Sequence, residues 1–214
     1  MKLQRNLFLA AALLPVYFGT HLQAQVADPS KPDDKAAAPD PSQMMATIME
    51  LAKPGENHKI LEATVGTWNY KVKWWMNPQA PPMESSGTCV TKAVMDGRYF
   101  VSDTVGKMSM PGPDGKPADM EFRGMGTEGF DNAKKKYVAS WIDNMGTGIM
   151  LMEGTYDPGA KAITYLGDEE PAPGLKMKVR QVVKTIDQNH RTIEFYETFG
   201  GNEAKTMEIT YTRS

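Results

Sequence analysis

From Gly66 to the C-terminus, apolar and polar residues alternate in short runs, and clusters of turn-forming residues separate the runs. The clearest run is Trp68-Asn69-Tyr70-Lys71-Val72-Lys73-Trp74-Trp75-Met76. Trp68, Tyr70, Val72, Trp74 and Met76 share one face, against Asn69, Lys71, Lys73 and Trp75 on the other. A period of two marks a strand buried on one side. Further β-rich runs follow at Tyr99 to Val105, Tyr137 to Ile142, Met177 to Val183, Thr192 to Phe199 and Thr206 to Thr212. Turn signals fall at Asn77-Pro78, Asp96-Gly97, Pro111 to Pro117, Asp131-Asn132, Asn144 to Gly148, Asp157 to Gly159, Pro171 to Gly174, Asn189-His190 and Gly200-Gly201-Asn202. About ten strands with short connections and no room for crossover helices predict an antiparallel meander, closed as a sandwich or a barrel.

The phases of the first and last strands decide between these two. On the last strand Met207, Ile209, Tyr211 and Arg213 share a face, against Thr206, Glu208, Thr210 and Thr212. Trp68 and Arg213 therefore both point inward, one at the head of the first strand and the other at the end of the last. Only a barrel must bring those two points together, and Arg213 then covers the Trp68 ring. The expected fold is an all-β, up-and-down antiparallel barrel, with Gly66, Trp68 and Arg213 as its structural closure. Inward positions give the lumen candidates Tyr70, Trp74, Met76, Trp141, Met177, Met207, Ile209 and Tyr211.

Ahead of the strands the character changes. Lys2 and Arg5 precede an apolar stretch from Leu7 to about Phe18, which ends on the small-residue pattern Leu22-Gln23-Ala24. This layout predicts a signal peptide over residues 1–24, cleaved after Ala24, and a periplasmic or secreted protein. The apolar stretch is too short for a membrane span, and no other run of spanning length follows. Residues 25–42, rich in Pro, Ala, Asp and Lys, read as a disordered tether. A short helix over residues 43–55 follows, with Ser42 as its N-cap, an apolar face of Met44, Met45, Ile48, Met49, Leu51 and Ala52, and Pro54-Gly55 as its stop. That face is expected to lie as a lid on the core. The barrel domain spans residues 56–214.

Charge and rare residues narrow the chemistry. Loss of residues 1–24 removes two positive charges and moves the formal net charge from −2 to −4. An acidic chain offers no electrostatic attraction to nucleic acid. Lys134-Lys135-Lys136 reads as a solvated turn. Cys89 is the single cysteine, so no intramolecular disulfide can form, and it reads as a small buried strand residue. His58 and His190 are the only histidines after residue 24, and neither falls on an inward strand face. A zinc site, a Ser/His/Asp triad or a haem with an axial histidine is therefore not expected, and no cofactor is assigned. Methionine is abundant, with 16 in the chain. Thioethers bind Cu(I), but these are spread through strands without nearby histidine, a pattern that fits adaptable filling of a barrel interior.

Two segments have both a local and a functional reading. Trp141 to Gly148 joins two strands, and Asp143 or Asn144 would either hydrogen-bond a ligand over the Trp141 ring or shape the hairpin. Gly124, Gly126 and Gly129 lie in a strand with no helix after them, so they do not form a phosphate loop. Among carboxylate pairs, Glu194 and Glu197 fall on opposite faces of one strand. Glu153 and Asp143 lie on neighbouring strands.

Gly66-x-Trp68 with a basic residue closing the last strand resembles the lipocalin-like, or calycin, signature. The chain resembles more specifically the bacterial domain of unknown function family 1579. The residues carrying that likeness are Pro54-Gly55-Glu56-Asn57-His58, Gly66-Thr67-Trp68, Ala80-Pro81-Pro82-Met83, Gly129-Phe130-Asp131-Asn132, Lys135 to Gly148 and Met207 to Arg213. The resemblance implies a lipocalin-like barrel and brings no catalytic or binding residues with it. The leading expectation is a binding module holding a small, largely apolar ligand in the lumen. The alternatives are an enzyme acting at the barrel mouth through Asp143, Asn144 and Glu153, and a solid-cored protein whose N-terminal helix docks on a partner.

Overall fold

The structure, a computed structural model, describes residues 40–77, 79–111 and 116–214. The expected signal peptide and nearly all of the expected tether lie outside these residues. Two short helices come first, α1 (Pro41–Leu51) and α2 (Glu56–Glu62). Ten strands follow: β1 (Gly66–Trp74), β2 (Met83–Val94), β3 (Tyr99–Pro111), β4 (Pro117–Asp131) and β5 (Lys136–Asp143), then β6 (Met150–Asp157), β7 (Ala162–Ala172), β8 (Leu175–Thr185), β9 (His190–Phe199) and β10 (Asn202–Arg213).

Each strand pairs antiparallel with its neighbours in sequence, and β1 pairs with β10 to close the barrel. The closing register runs from Trp68 opposite Arg213 to Trp74 opposite Met207. Closure pairs β1 and β10, the two edges that an open sheet would leave free. The breaks between strands coincide with the turn clusters of the sequence. Where the turns tighten, Met95, Asp96, Lys135 and Lys161 take positive φ.

Two apolar clusters fill one end. Leu61 from α2 packs with Phe100, Tyr137, Met152, Ile163, Tyr165 and Val183. Trp68, Tyr70, Cys89 and Tyr211 form the second cluster across the β1–β10 seam. The plug at this end is α2, not α1. Leu61 is 0% exposed, whereas α1 buries none of its residues. The expectation that the first helix lies as a lid is therefore corrected. Its apolar residues are exposed because the chain bends at Pro54-Gly55 and starts a new helix, and that second helix covers the barrel end. The Gly55 amide donates to His58 Nδ1 at 3.1 Å, and the His58 ring meets Phe130 edge-on. Tyr137 Oη donates to Asn57 Oδ1 at 3.2 Å. Burial, reinforced by Arg98, holds the His58 imidazole below its ordinary range. The end of α1 is tied only by its backbone. Asn132 Nδ2 donates to the Leu51 and Lys53 carbonyls, and Arg98 Nε to that of Ala52.

Candidate functional site: the barrel lumen

The closed end of the lumen is built around Trp68, which is 1% exposed. Its Nε1 donates to the Thr64 carbonyl at 2.8 Å, joining the end of α2 to β1. The Arg213 guanidinium lies 4.2 Å from the centre of the indole and donates to the Val65 carbonyl at 2.9 Å and the Gln188 carbonyl at 2.9 Å. Gly66 has a φ of 134°, and a Cβ there would overlap Arg213 Nη1, so glycine is required at this corner on both counts. The latch expected from strand phases thus exists. Neither Trp68 nor Arg213 faces the cavity above it.

That cavity measures about 390 Å³ and is lined mainly by apolar side chains. It stays open because large rings lie flat against the wall. The Trp141 indole lies over Gly124 and Gly126, where a Cβ at Gly124 would overlap the ring and one at Gly126 would stand 3.2 Å from it. Phe122 is nearly parallel to it at 6.4 Å. The hydroxyl end of Tyr70 comes against Gly87 and Gly106, where a Cβ at either position would overlap it. The alternate glycines of β4 are therefore seats for an aromatic ring on the next strand. Met83, Met108, Met110, Met150, Met152 and Met207 line the remaining wall, matching the expectation of methionine as adaptable filling.

Polar groups break this apolar surface at two levels. Toward the closed end Arg191 is 6% exposed and faces the cavity. Its guanidinium lies 4.3 Å from the Tyr211 ring centre and 4.8 Å from that of Trp68. Its Nε is enclosed without a hydrogen-bond partner, as is Oε1 of the cavity-lining Gln181. Nearby Tyr165 Oη donates to Glu128 Oε1 at 2.9 Å, and burial pushes the Tyr165 hydroxyl well above its ordinary range. At the other level Asp143, Glu169 and Glu197 all line the cavity. Burial raises the Glu169 carboxyl, and Glu197 and then Asp143 raise it further.

The Glu169 shift carries a sign that can be tested. A raised folded value means that the native state holds a proton that the unfolded state has already released, so stability falls as pH climbs above the ordinary 4.5. Glu169→Gln should therefore raise the melting temperature at neutral pH, and the gain should vanish below pH 4.5. Thermal melts of both proteins across that range check it, and an equal gain at every pH would refute it.

Of the lumen candidates, Tyr70, Trp74, Trp141, Asp143, Met207, Ile209 and Tyr211 line the cavity. Three do not. Met76 is 66% exposed, because β1 ends at Trp74 and the chain turns away. Met177 is paired with Glu169 of β7 but lies beyond Lys178↔Thr198, where the β8–β9 pairing stops, and does not line the cavity. Asn144 is exposed and ties the end of β5 to β4, accepting from the Arg123 amide and donating to the Glu121 carbonyl. Asp143 also has local work, since it accepts from Trp141 Nε1 at 2.8 Å and from the Met145 amide at 2.8 Å.

The mouth trio of Asp143, Asn144 and Glu153 is not assembled. Glu153 stands on the outer wall, paired with Lys134 Nζ at 2.8 Å. His190 sits exposed in a turn against Asp187. Among the described residues, no group of three or more His, Cys, Asp or Glu side chains is placed to hold a metal ion. No helix among them is long and apolar enough to cross a membrane. Arg191, Gln181, Glu128, Glu169 and Glu197 were not anticipated from the sequence. The usable signal was phase, because Arg191 and Glu197 fall in step with Ile193 and Phe195, and Gln181 in step with Val179 and Val183.

A crystal structure of Rv2717c from M. tuberculosis matches 76% of this chain and 99% of its own at 14% identity, with a TM-score of 0.51, a likeness of fold. A redesigned β-barrel matches 73% of this chain and 94% of its own at 15% identity, with a TM-score of 0.34. No curated protein matches the chain. The model of the family described as "Protein of unknown function (DUF1579)" matches residues 53–213. The chain belongs to that family.

Proposed function

We propose that this member of the DUF1579 family is an exported binding protein that holds one small, largely apolar molecule in its barrel lumen. The observation that carries this reading is the cavity of about 390 Å³, which falls within the size range of small-molecule sites and has mostly apolar walls. An interior meant to be solid would close over such a space, since unfilled core volume is costly. The glycine seats under Trp141 and Tyr70 support the reading further. They give up strand propensity so that the Trp141 ring lies flat against the wall and the hydroxyl end of Tyr70 fits against β2 and β3. Export rests on the charged, apolar and small-residue order of residues 1–24.

Mass spectrometry of the protein purified natively from a Gram-negative host tests both parts. The mature chain should begin at Gln25, and a small apolar molecule should be retained at up to one per chain. The neutral fluorophore N-phenyl-1-naphthylamine should also bind, with emission saturating at one per chain. Ala139→Phe, which places a ring in the lumen, should weaken that binding by about tenfold or more. An unprocessed N-terminus would overturn export. Absence of both a retained molecule and fluorophore binding would overturn the lumen reading.

A further inference from the structure

Arg191 stands out among the groups facing the cavity. A guanidinium keeps its charge, and enclosing it costs several kcal/mol unless a counter-ion or a full set of acceptors is present. Here neither is present. No carboxylate of the described residues lies within ion-pair distance of Arg191. Its Nε has no acceptor, and its one polar contact is a weak one from Nη2 to Cys89 Sγ at 4.0 Å. What holds it are the faces of Tyr211 and Trp68, at 4.3 Å and 4.8 Å. Rings stabilise a cation without neutralising it, so the positive potential still reaches the lumen.

The second observation concerns orientation. β9 carries Arg191 at its closed-end terminus, opposite Thr185 of β8, and Glu197 near its other end, opposite Val179. Asp143 and Glu169 face the cavity with Glu197. Glu128 also faces it and accepts from Tyr165 Oη, a neutral donor that fills one acceptor site and brings no counter-charge. An anion in this lumen therefore meets an unpaired cation at the closed end and repelling carboxylates at the level of Glu197. Between them the wall is mostly apolar, with Val72, Ile193, Phe195, Met207 and Ile209, and is interrupted by Gln181 opposite Phe195.

We propose that the ligand class is a monoanionic amphiphile, an apolar chain ending in a single carboxylate, with the carboxylate seated on Arg191 and the chain directed toward Trp74 and Trp141. This deepens the lumen-binding reading and rests on it. One guanidinium matches one carboxylate in charge and in its forked geometry. The ligand's anion would supply a counter-charge and acceptors where the guanidinium faces the cavity, Nε itself being enclosed.

Calorimetric titration with decanoate and with its neutral ester, methyl decanoate, tests it. Wild type should bind decanoate about ten- to a hundredfold tighter than the ester, the range for a charge-assisted hydrogen bond. Arg191→Met should abolish that preference through the loss of decanoate affinity, and ester affinity should stay within about threefold. Equal affinities in wild type, or an ester preference, would overturn the role of Arg191 while leaving the lumen reading intact. Failure of both probes to bind would count against the lumen reading itself. The wild-type comparison decides the question alone should the variant fail to fold.

Discussion

Trp68→Ala should lower the free energy of unfolding by about 3–5 kcal/mol, the range for removing a large buried aromatic side chain. Three losses combine at this position. The buried ring area goes, the Nε1 hydrogen bond to the Thr64 carbonyl goes, and the Arg213 and Arg191 guanidiniums lose the ring beneath them. Arg213 then keeps its carbonyl partners but stands over a void. Trp68→Phe separates the contributions, because it retains a ring and leaves the Thr64 carbonyl without its donor, at a cost of about 1–3 kcal/mol. Urea unfolding midpoints measure both. Trp68 does not line the cavity, so the folded fraction of either variant should bind methyl decanoate within about threefold of wild type. Lost ester binding at an unchanged midpoint would mean that the latch is part of the site.

Leu61→Ala should cost about 2–5 kcal/mol, since the side chain is fully enclosed among Phe100, Tyr137 and Tyr165 beneath α2. The contrast lies one helix earlier. Met45→Ser and Ile48→Ser in α1 should change stability by no more than about 0.5 kcal/mol, because both residues are already in solvent. Chemical denaturation of the three variants side by side assigns the plug to α2. A large loss from the α1 substitutions would return the lid to the first helix.

The mistake over the lid shows how a local signal misleads. The apolar spacing of Met44, Met45, Ile48, Met49 and Leu51 is a true helical period, and α1 forms over it. Nothing in that period states which surface covers the stripe. The next residues, Glu56 to Glu62, are too few and too polar to announce a helix by periodicity. Yet His58 and Leu61 are the ones driven into the barrel end. For the strands the reverse holds. Their period of two reports burial directly, so Tyr70, Trp74, Trp141, Met207, Ile209 and Tyr211 could be placed on the lumen wall. The same rule failed at Met76, past the end of β1, and at Met177, which lies within β8 but does not line the cavity.

Asp143 and Asn144 mark another boundary of that kind. Their residue types suit both a ligand contact and a hairpin, and in the chain Asp143 accepts from the Met145 amide of the turn while Asn144 ties the strand end to β4. Gly124 and Gly126 read as gaps in a strand until the neighbouring ring is seen lying in them.

By itself, the order of apolar and polar residues determined the ten-strand meander, its closure at Trp68 and Arg213, and which side of most strands faces inward, because each of these depends on alternation along one strand or on the phase of two. The tertiary structure alone decided that Arg191 sits against two rings with no carboxylate of the described residues within ion-pair distance, that Asp143, Glu169 and Glu197 line one cavity, and that this cavity measures about 390 Å³. Those facts depend on side chains from strands far apart in the chain. Whether a buried charge finds a partner, or a ring finds a glycine to lie on, is set by register and strand tilt around the closed barrel, which no single strand encodes.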